Sequence, residues 1–487
     1  LEITLSTNDR LVKQITAKSE DFSRWYAEIV QKAELADYSP MKGMMVIRPY
    51  GYAVWENIQR ALDARIKASG HVNLYFPLFI PESLLKKEAE HVKGFAPEVA
   101  WVTVGGKEDL EERLAVRPTS EAIIGPMYSK WIKSWRDLPV LYNQWANIVR
   151  WEKVTRPFLR TTEFLWQEGH TCHATAEEGE AETLKILAMY KEFCETELAI
   201  PVLAGHKTPR EKFAGAEMTY AVEALMADGK ALQMGTSHNL GQHFAKAFDI
   251  KYEDKNQTLQ YVWQTSWGMT TRTIGALIMC HGDDSGLRFP PRVAPFQVVI
   301  VPIPAGNWKE TVLPAVEAAA EALKKVGLRV HIDAREEMTP GWKFSEYEMR
   351  GVPLRIEIGP RDVKNGQAVC VRRDLKTKQS VPLADLPARV PALLDEIQAV
   401  LFEQAKTFLA ANIRPAGTYD EFKAILETSR GFVVSPWCGE TSCEDRIKSE
   451  TMATIRVILP ENDGASGAAC VCCGRPAKAV AHFARSY

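Results

Sequence analysis

The sequence predicts an α/β multidomain chain. Three observations carry that expectation. The length of 487 residues fits about three domains at roughly 150 residues each, every one large enough to bury a core. Segments with helical and strand periodicity alternate along the chain. Five of the nine cysteines crowd into residues 438–473, which marks a separately built C-terminal unit.

Residues 50–69 place Val54, Ile58, Ala61, Leu62 and Ile66 at helical spacing, and Gly70 stops that helix. Residues 71–80 carry the aromatic and branched side chains of a strand whose pairing Pro77 and Pro81 limit. Residues 142–150, 158–167 and 259–267 read as further strands, with a helix at 177–198 between the second and third. Together these make one large α/β unit over residues 1–292. Pro290, Pro291 and Pro295 then form a stiff boundary. In the next unit, 293–410, strands at 297–303, 328–333, 354–358 and 368–373 alternate with helices at 310–325 and 341–350. Residues 411–487 hold the cysteine cluster.

Composition narrows the function classes. Hydrophobic residues make up 46% and charged residues 25%, the usual balance for globular chains, and no apolar run approaches the roughly 18 residues of a membrane span. Sixty Lys and Arg against 62 Asp and Glu leave a net charge of −2, which excludes a globally cationic, DNA-coating protein and confines any nucleic-acid contact to a local surface. Residues 1–10 lack a basic-then-apolar leader, so the expected location is the cytoplasm.

The strongest chemical signal is Cys438-x4-Cys443 followed, after 26 residues, by Cys470-x2-Cys473 and Gly474. Four thiolates from two short loops can close a tetrahedral zinc site, and such a closed site is structural. Cys472 is an alternative ligand to Cys473; the two-residue gap favours Cys473. A second constellation is Arg150-Trp151-Glu152, a loop, and Arg160-Thr161-Thr162-Glu163-Phe164. On a strand Arg150 and Glu152 share a face, and a returning strand would set Phe164 opposite them. Arginine can grip a carboxylate or phosphate, glutamate can accept from an adenine amino group or help hold a metal, and an aromatic can stack on a base. Neither a Gly-x4-Gly-Lys-Ser/Thr loop nor a Gly-x-Gly-x2-Gly fingerprint after a strand accompanies them.

Six blocks then occur in order: Arg48-Pro49-Tyr50-Gly51, Arg117-Pro118-Thr119-Ser120-Glu121, Arg150-Trp151-Glu152, Phe164-Leu165-Trp166-Gln167-Glu168-Gly169-His170-Thr171, Gly235-Thr236-Ser237-His238 and Ser266-Trp267-Gly268-Met269-Thr270-Thr271-Arg272. On these the whole chain resembles the prolyl-tRNA synthetases, class II aminoacyl-tRNA synthetases, in their archaeal and eukaryotic-like form with a C-terminal zinc domain. The resemblance implies an antiparallel-sheet catalytic domain, an α/β anticodon-binding domain and a small zinc-binding α+β domain. It implies activation of L-proline by ATP to prolyl-adenylate and transfer to the 3′ end of tRNA(Pro).

The resemblance also distributes roles. Arg150 and Arg272 are the catalytic pair, on the α-phosphate and carboxylate and on the terminal phosphates. Thr119, Glu121, Arg150, Trp166, Glu168, His170 and His238 hold proline. Arg150, Glu152, Arg160, Thr161, Phe164, Gln233, Thr236, Thr270 and Arg272 hold ATP, with Mg²⁺ bridging phosphates near Gln233 and Glu152. Glu348, Arg355 and Arg361 read the anticodon, within a segment, 341–380, of nine Lys or Arg against five Asp or Glu. The helix at 50–69 and the strand after it build a homodimer interface. About 60 residues separate His170 from Gly235, too few for the inserted editing domain of bacterial relatives.

Overall fold

The computed structural model describes residues 15–91, 98–464 and 467–487; residues 1–10, read above for a leader, lie outside them. Helix α1 (Pro49–Ala68) starts on a proline, whose missing N–H costs nothing in a first turn, and Gly70 behind it takes φ +92°. Seven strands form the main sheet: β1 (Val72–Asn73), β2 (Val140–Val149), β3 (Glu163–His173), β4 (Leu203–His206), β5 (Met218–Leu225), β6 (Ala231–Gly241) and β7 (Trp263–Thr270). Their order is β1-β2-β3-β7-β6-β5-β4, antiparallel throughout except at β1–β2. Helices α1, α2 (Ala176–Thr196) and α3 (Arg272–His281) share one core with Trp267 and Met269 of β7 and Met234 of β6. Period-2 alternation leaves the neighbouring side chains of these strands for the opposite face.

The structure corrects three expected elements. The strand expected at 71–80 is two short ones: β1 joins β2, whereas Phe79–Pro81 joins a separate sheet with Trp101–Gly105 and Glu108–Val116. Pro77, which has no amide to donate, lies in the break. The expected strand at 158–167 begins only at Glu163, because residues 156–160 close a turn (Arg156 N to Arg160 O, 2.7 Å) with Phe158 at φ +60°. Residues 259–267 divide between Leu259–Tyr261, paired with Lys251–Glu253, and β7.

The middle sheet runs in the order Val330–Ile332, Val298–Pro302, Leu354–Ile358, Gln367–Arg372 and Lys378–Pro382. The last of these strands was not anticipated. Nor was the helix Leu386–Ala411, which buries Leu393, Leu394, Ile397 and Leu401 in the core of that sheet. Its Gln398 also donates to Thr196 O at the end of α2 (2.7 Å). The proline-rich stretch after residue 289 is a buried seam: Val293 and Ala294 are inaccessible, and Asn57 donates to both of their carbonyls.

The last sheet has the order Ile413–Pro415, Phe432–Trp437, Ala479–Ala484, Thr454–Val457. It closes an edge of the first. His206 of β4 and Ile458 exchange both backbone hydrogen bonds at 3.0 Å. This approach requires Gly205, where a Cβ would fall 2.3 Å from Ile458 O.

Candidate active site

Trp166, Glu168 and His170 recur at every second position of β3 and so share its open face. Gly169 between them points the other way, and its missing Cβ leaves room for Trp267, whose ring atoms lie 2.1 to 2.3 Å from where that Cβ would be. Partners across the sheet extend the open face: Thr270 pairs with Trp166, Gly268 with Glu168, Ser266 with His170, and His238 with Ser266. Over it lies a cavity of about 400 Å³. All fifteen residues expected at the two substrates line it: Thr119, Glu121, Arg150, Glu152, Arg160, Thr161, Phe164, Trp166, Glu168, His170, Gln233, Thr236, His238, Thr270 and Arg272.

Arg150 does not lie on a strand as expected, since β2 stops at Val149. Its amide still bonds Thr162 O (2.8 Å), so the chain stays beside β3, while Nε donates to Pro118 O (3.0 Å). The guanidinium sits 5.6 Å from the ring centres of both Phe164 and Trp166. Glu152 meets Arg160 at 3.1 Å. Arg272, first residue of α3, donates to Leu159 O (3.2 Å) and Gln233 O (3.3 Å), so a guanidinium and a helix N-terminus face one cavity.

The charges follow from this crowding. Burial, then the neighbouring Arg150, pulls Arg272 down to about 10, and burial lowers Arg150 against the pull of Glu121, Glu168 and Glu152. Two guanidiniums with little solvent favour an anion between them. Burial would raise Glu168, but His170 (3.0 Å), Ser120 and Gln144 all bond the carboxylate and hold it below its ordinary value. Burial would likewise lower His170, yet the bond to Glu168 and the charge of Glu121 raise it. Burial, with His170 and Arg150 nearby, pushes His238 down to about 3, so its ring is neutral, with Nδ1 2.9 Å from the Thr219 hydroxyl.

Gln144, which fixes Glu168, and Glu211, Phe213 and Thr219, which line the cavity, carry no short motif and escape sequence reasoning; Ser120, which also bonds Glu168, stands in the 117–121 block but has no role assigned there. Only the β5–β6 register, pairing Thr219 with His238, could have signalled one of them.

In the C-terminal unit the Sγ atoms of Cys438, Cys443, Cys470 and Cys473 lie within 4.8 Å of one another, and Cys472 is outside that set. Cys438 is 3.6 Å from Cys443 and 3.7 Å from Cys473. A tetrahedron with metal–sulfur bonds of about 2.3 Å has edges of about 3.8 Å, so the donor set fits a four-coordinate zinc ion. In the middle unit Arg355 is buried over the Phe344 ring (4.0 Å), 3.0 Å from Glu357 and 3.6 Å from Glu348. Glu348 and Arg355 line a depression with Arg372, Arg373, Lys376 and Lys378; Arg361, exposed on Pro360–Lys364, does not line it.

The chain matches three family models: "tRNA synthetase class II core domain (G, H, P, S and T)" at residues 101–281, "Anticodon binding domain" at 297–393 and "Prolyl-tRNA synthetase, C-terminal" at 419–487. It is 56% identical over 482 residues to the proline–tRNA ligase of Natranaerobius thermophilus, covering 99% of each chain. Against the proline–tRNA ligase of Rubrobacter xylanophilus it is 58% identical over 476 residues, 98% of this chain and 99% of that one. Against proline–tRNA ligase 2 of Bacillus cereus strain ATCC 14579 the identity is 56% over 476 residues, with the same coverage.

Proposed function

From the premise that the chain belongs to the proline–tRNA ligase family of class II aminoacyl-tRNA synthetases, we propose that its cavity carries both half-reactions through the fifteen residues that line it. The family's reaction joins proline to tRNA(Pro) at the expense of ATP. The observation that carries the assignment of residues is one cavity in which Arg150 stands among the carboxylates Glu121, Glu168 and Glu152 and also close enough to Arg272 to lower it.

Proline binds at the Glu121–Glu168–His170 end. Glu121 and Thr119 accept from its secondary ammonium, Trp166 walls its ring, and neutral His238 adds a polar contact without a second cation. ATP lies toward Arg272, with the adenine against Phe164 and Glu152, and Arg160, Thr161, Gln233, Thr236 and Thr270 around the nucleotide. A proline carboxylate oxygen attacks the α-phosphorus, the new P–O bond forms as the bond to the β-phosphate oxygen breaks, and pyrophosphate leaves. Arg150 neutralises the charge that gathers on the α-phosphate, and Arg272 with the α3 N-terminus holds the leaving pyrophosphate. No side chain serves as a covalent nucleophile. In the second step the hydroxyl of the terminal tRNA adenosine attacks the prolyl carbonyl and AMP departs. Oxygens of Glu152 and Gln233 suit Mg²⁺, which supplies further neutralisation of the phosphates.

The same reading assigns catalysis to residues 1–292, anticodon reading to 293–410 and structural zinc, on Cys438, Cys443, Cys470 and Cys473, to 411–487. In the middle unit Glu348 and Arg355 present an acceptor and a donor together, the pattern that a guanine edge complements, and Arg361 adds charge beside it. Exposed Tyr38, Met41, Val46 and Tyr52, around the start of α1, supply an apolar surface for a homodimer. Among the described residues no helix is long and apolar enough to cross a membrane, and the reaction's tRNA and ATP point to the cytoplasm. The segment between β3 and β6 is occupied by α2, β4, β5 and their connections, so alanine must be rejected by pocket fit or by another protein. Amino-acid-dependent ATP–pyrophosphate exchange tests the assignment: proline supports it, and strong exchange with another amino acid but none with proline would refute the specificity.

A further inference from the structure

The segment between β4 and β5 reaches from the last sheet to the amino-acid end of the cavity. Its far part delivers Glu211 and Phe213 to the cavity wall. There the Phe213 ring lies 4.8 Å from the His238 ring, and its amide donates to the Thr219 hydroxyl (3.0 Å), the same hydroxyl that meets His238. Its near part is held by the C-terminal unit through side chains. Lys207, buried, bonds Glu223 (2.7 Å) and Arg456 O (2.6 Å), and Arg456 returns to Glu223 at 2.8 and 3.2 Å. Thr208, also buried, donates its hydroxyl to Glu444 Oε2 (2.9 Å) across 236 residues of sequence. Arg210 pairs with Asp445.

Thr208 is the pivot. Its carbonyl accepts from the amides of Glu211 (3.1 Å) and Lys212 (3.0 Å), which starts the turn that carries Phe213 inward. A shift of Thr208 therefore moves the two residues that line the pocket. Glu444 and Asp445 stand in the first turns of the helix Thr441–Thr451, directly after Cys443, so the body that holds them is braced by the cysteine cluster.

We infer that Glu444 is a positioning residue for the amino-acid pocket: through its hydrogen bond to Thr208 the C-terminal unit sets the loop that presents Glu211 and Phe213 beside His238. The inference rests on the proline-activating reading above. It gives the C-terminal unit a share in amino-acid affinity in addition to any part in stability. The charges of Glu223 and Arg456 also reach Arg272 on the nucleotide side, so the link particular to the amino-acid pocket is the Thr208–Glu444 bond.

The test is steady-state ATP–pyrophosphate exchange on the full chain with Thr208→Val, Thr208→Ser and Glu444→Ala. Loss of a hydrogen bond to a carboxylate should raise the KM for proline about tenfold in Thr208→Val and Glu444→Ala, with the KM for ATP changed less than about twofold. Thr208→Ser, which keeps the hydroxyl, should restore the proline KM, and the double variant Thr208→Val/Glu444→Ala should be no worse than either single one. An unchanged proline KM in Thr208→Val, or equal rises for proline and ATP, overturns the inference. Should Glu444→Ala fail to fold, Glu444→Met takes its place and must raise the proline KM as Thr208→Val does, because Thr208→Val also removes the bond from the Glu211 amide to the Thr208 hydroxyl (3.4 Å). Absence of proline exchange in the unaltered chain would strike the underlying reading; normal exchange there with unmoved KM values strikes only the anchor.

Discussion

Nε2 of His170 lies 3.0 Å from Oε2 of Glu168 on the floor of the cavity, and both side chains are buried. The pair's contribution to stability has a defined pH window. Glu168 is held below its ordinary value, so its share is present above the unfolded carboxylate pKa and is lost as pH falls through the folded one. His170 is raised, so its share is present below the unfolded imidazole pKa and is lost as pH rises through the folded one. Both shares are full between the ordinary carboxylate and ordinary imidazole values, and the imidazole share fades as pH rises through the raised one. His170→Asn should cost most there, about 3 kcal/mol for breaking a buried pair, and less on either side. Urea unfolding of both proteins across that range measures the difference; a gap independent of pH would mean that the two groups do not form an ion pair.

Arg150→Ala should remove adenylate formation by a factor of at least about a hundred while leaving the fold intact. Among the described residues the guanidinium donates to Pro118 O and otherwise faces the two aromatic rings and the cavity. Arg150→Lys should not restore the rate, because an ammonium lacks the planar fork that spans two oxygens. Proline-dependent exchange together with a thermal melt separates the outcomes, and near-normal exchange in the Ala variant would remove Arg150 from the mechanism.

Gly169→Ala should destabilise the main sheet by about 1 to 3 kcal/mol, the usual cost of overpacking. The added methyl would meet the Trp267 ring, which is itself buried against α2 through Tyr190 and cannot yield. Thermal unfolding reports the loss. An unaltered melting temperature would show that Trp267 has somewhere to go.

The parts of the fold that local pattern dictates were legible in the sequence: α1 from its apolar spacing and the first strands of the middle sheet from branched runs; the shared face of Trp166, Glu168 and His170 was not, since the expected strand stops at residue 167 and β3 runs to His173. What escaped was set by tertiary pairing. Residues 71–80 have strand composition, yet their two ends pair with different sheets. The helix Leu386–Ala411 contains Pro391, which reads locally as a break, and its burial in the middle core outweighs it; Pro387 stands in the first turn, where it costs nothing. Ser120, Gln144 and Thr208 act through partners 24 or more residues away, and no spacing rule reaches that far.

Arg355→Ala should raise the KM for tRNA in aminoacylation by about tenfold, within the usual 1 to 3 kcal/mol of a bidentate base contact, and leave proline-dependent exchange unchanged. Its guanidinium is fixed between Phe344 and the carboxylates of Glu348 and Glu357, so it is already oriented for a planar partner. Arg361→Ala, on an exposed helix that does not line the depression, should give a smaller effect that fades with added salt. Equal effects from the two, or altered exchange, would contradict the assignment of Arg355 to the anticodon.

Cys473→Ser should lose bound zinc, whereas Cys472→Ser should keep it, because the Cys473 sulfur converges with those of Cys438, Cys443 and Cys470 and the Cys472 sulfur does not. The two residues are adjacent, so general disruption of the loop would affect both variants alike, and only ligation separates them. Removing one of four thiolates from a closed structural site also withdraws its contribution to folding. The C-terminal unit should then become open to protease in Cys473→Ser and remain resistant in Cys472→Ser. Zinc content by atomic absorption beside limited proteolysis checks both consequences, and the reverse pattern would exchange the two cysteines' roles.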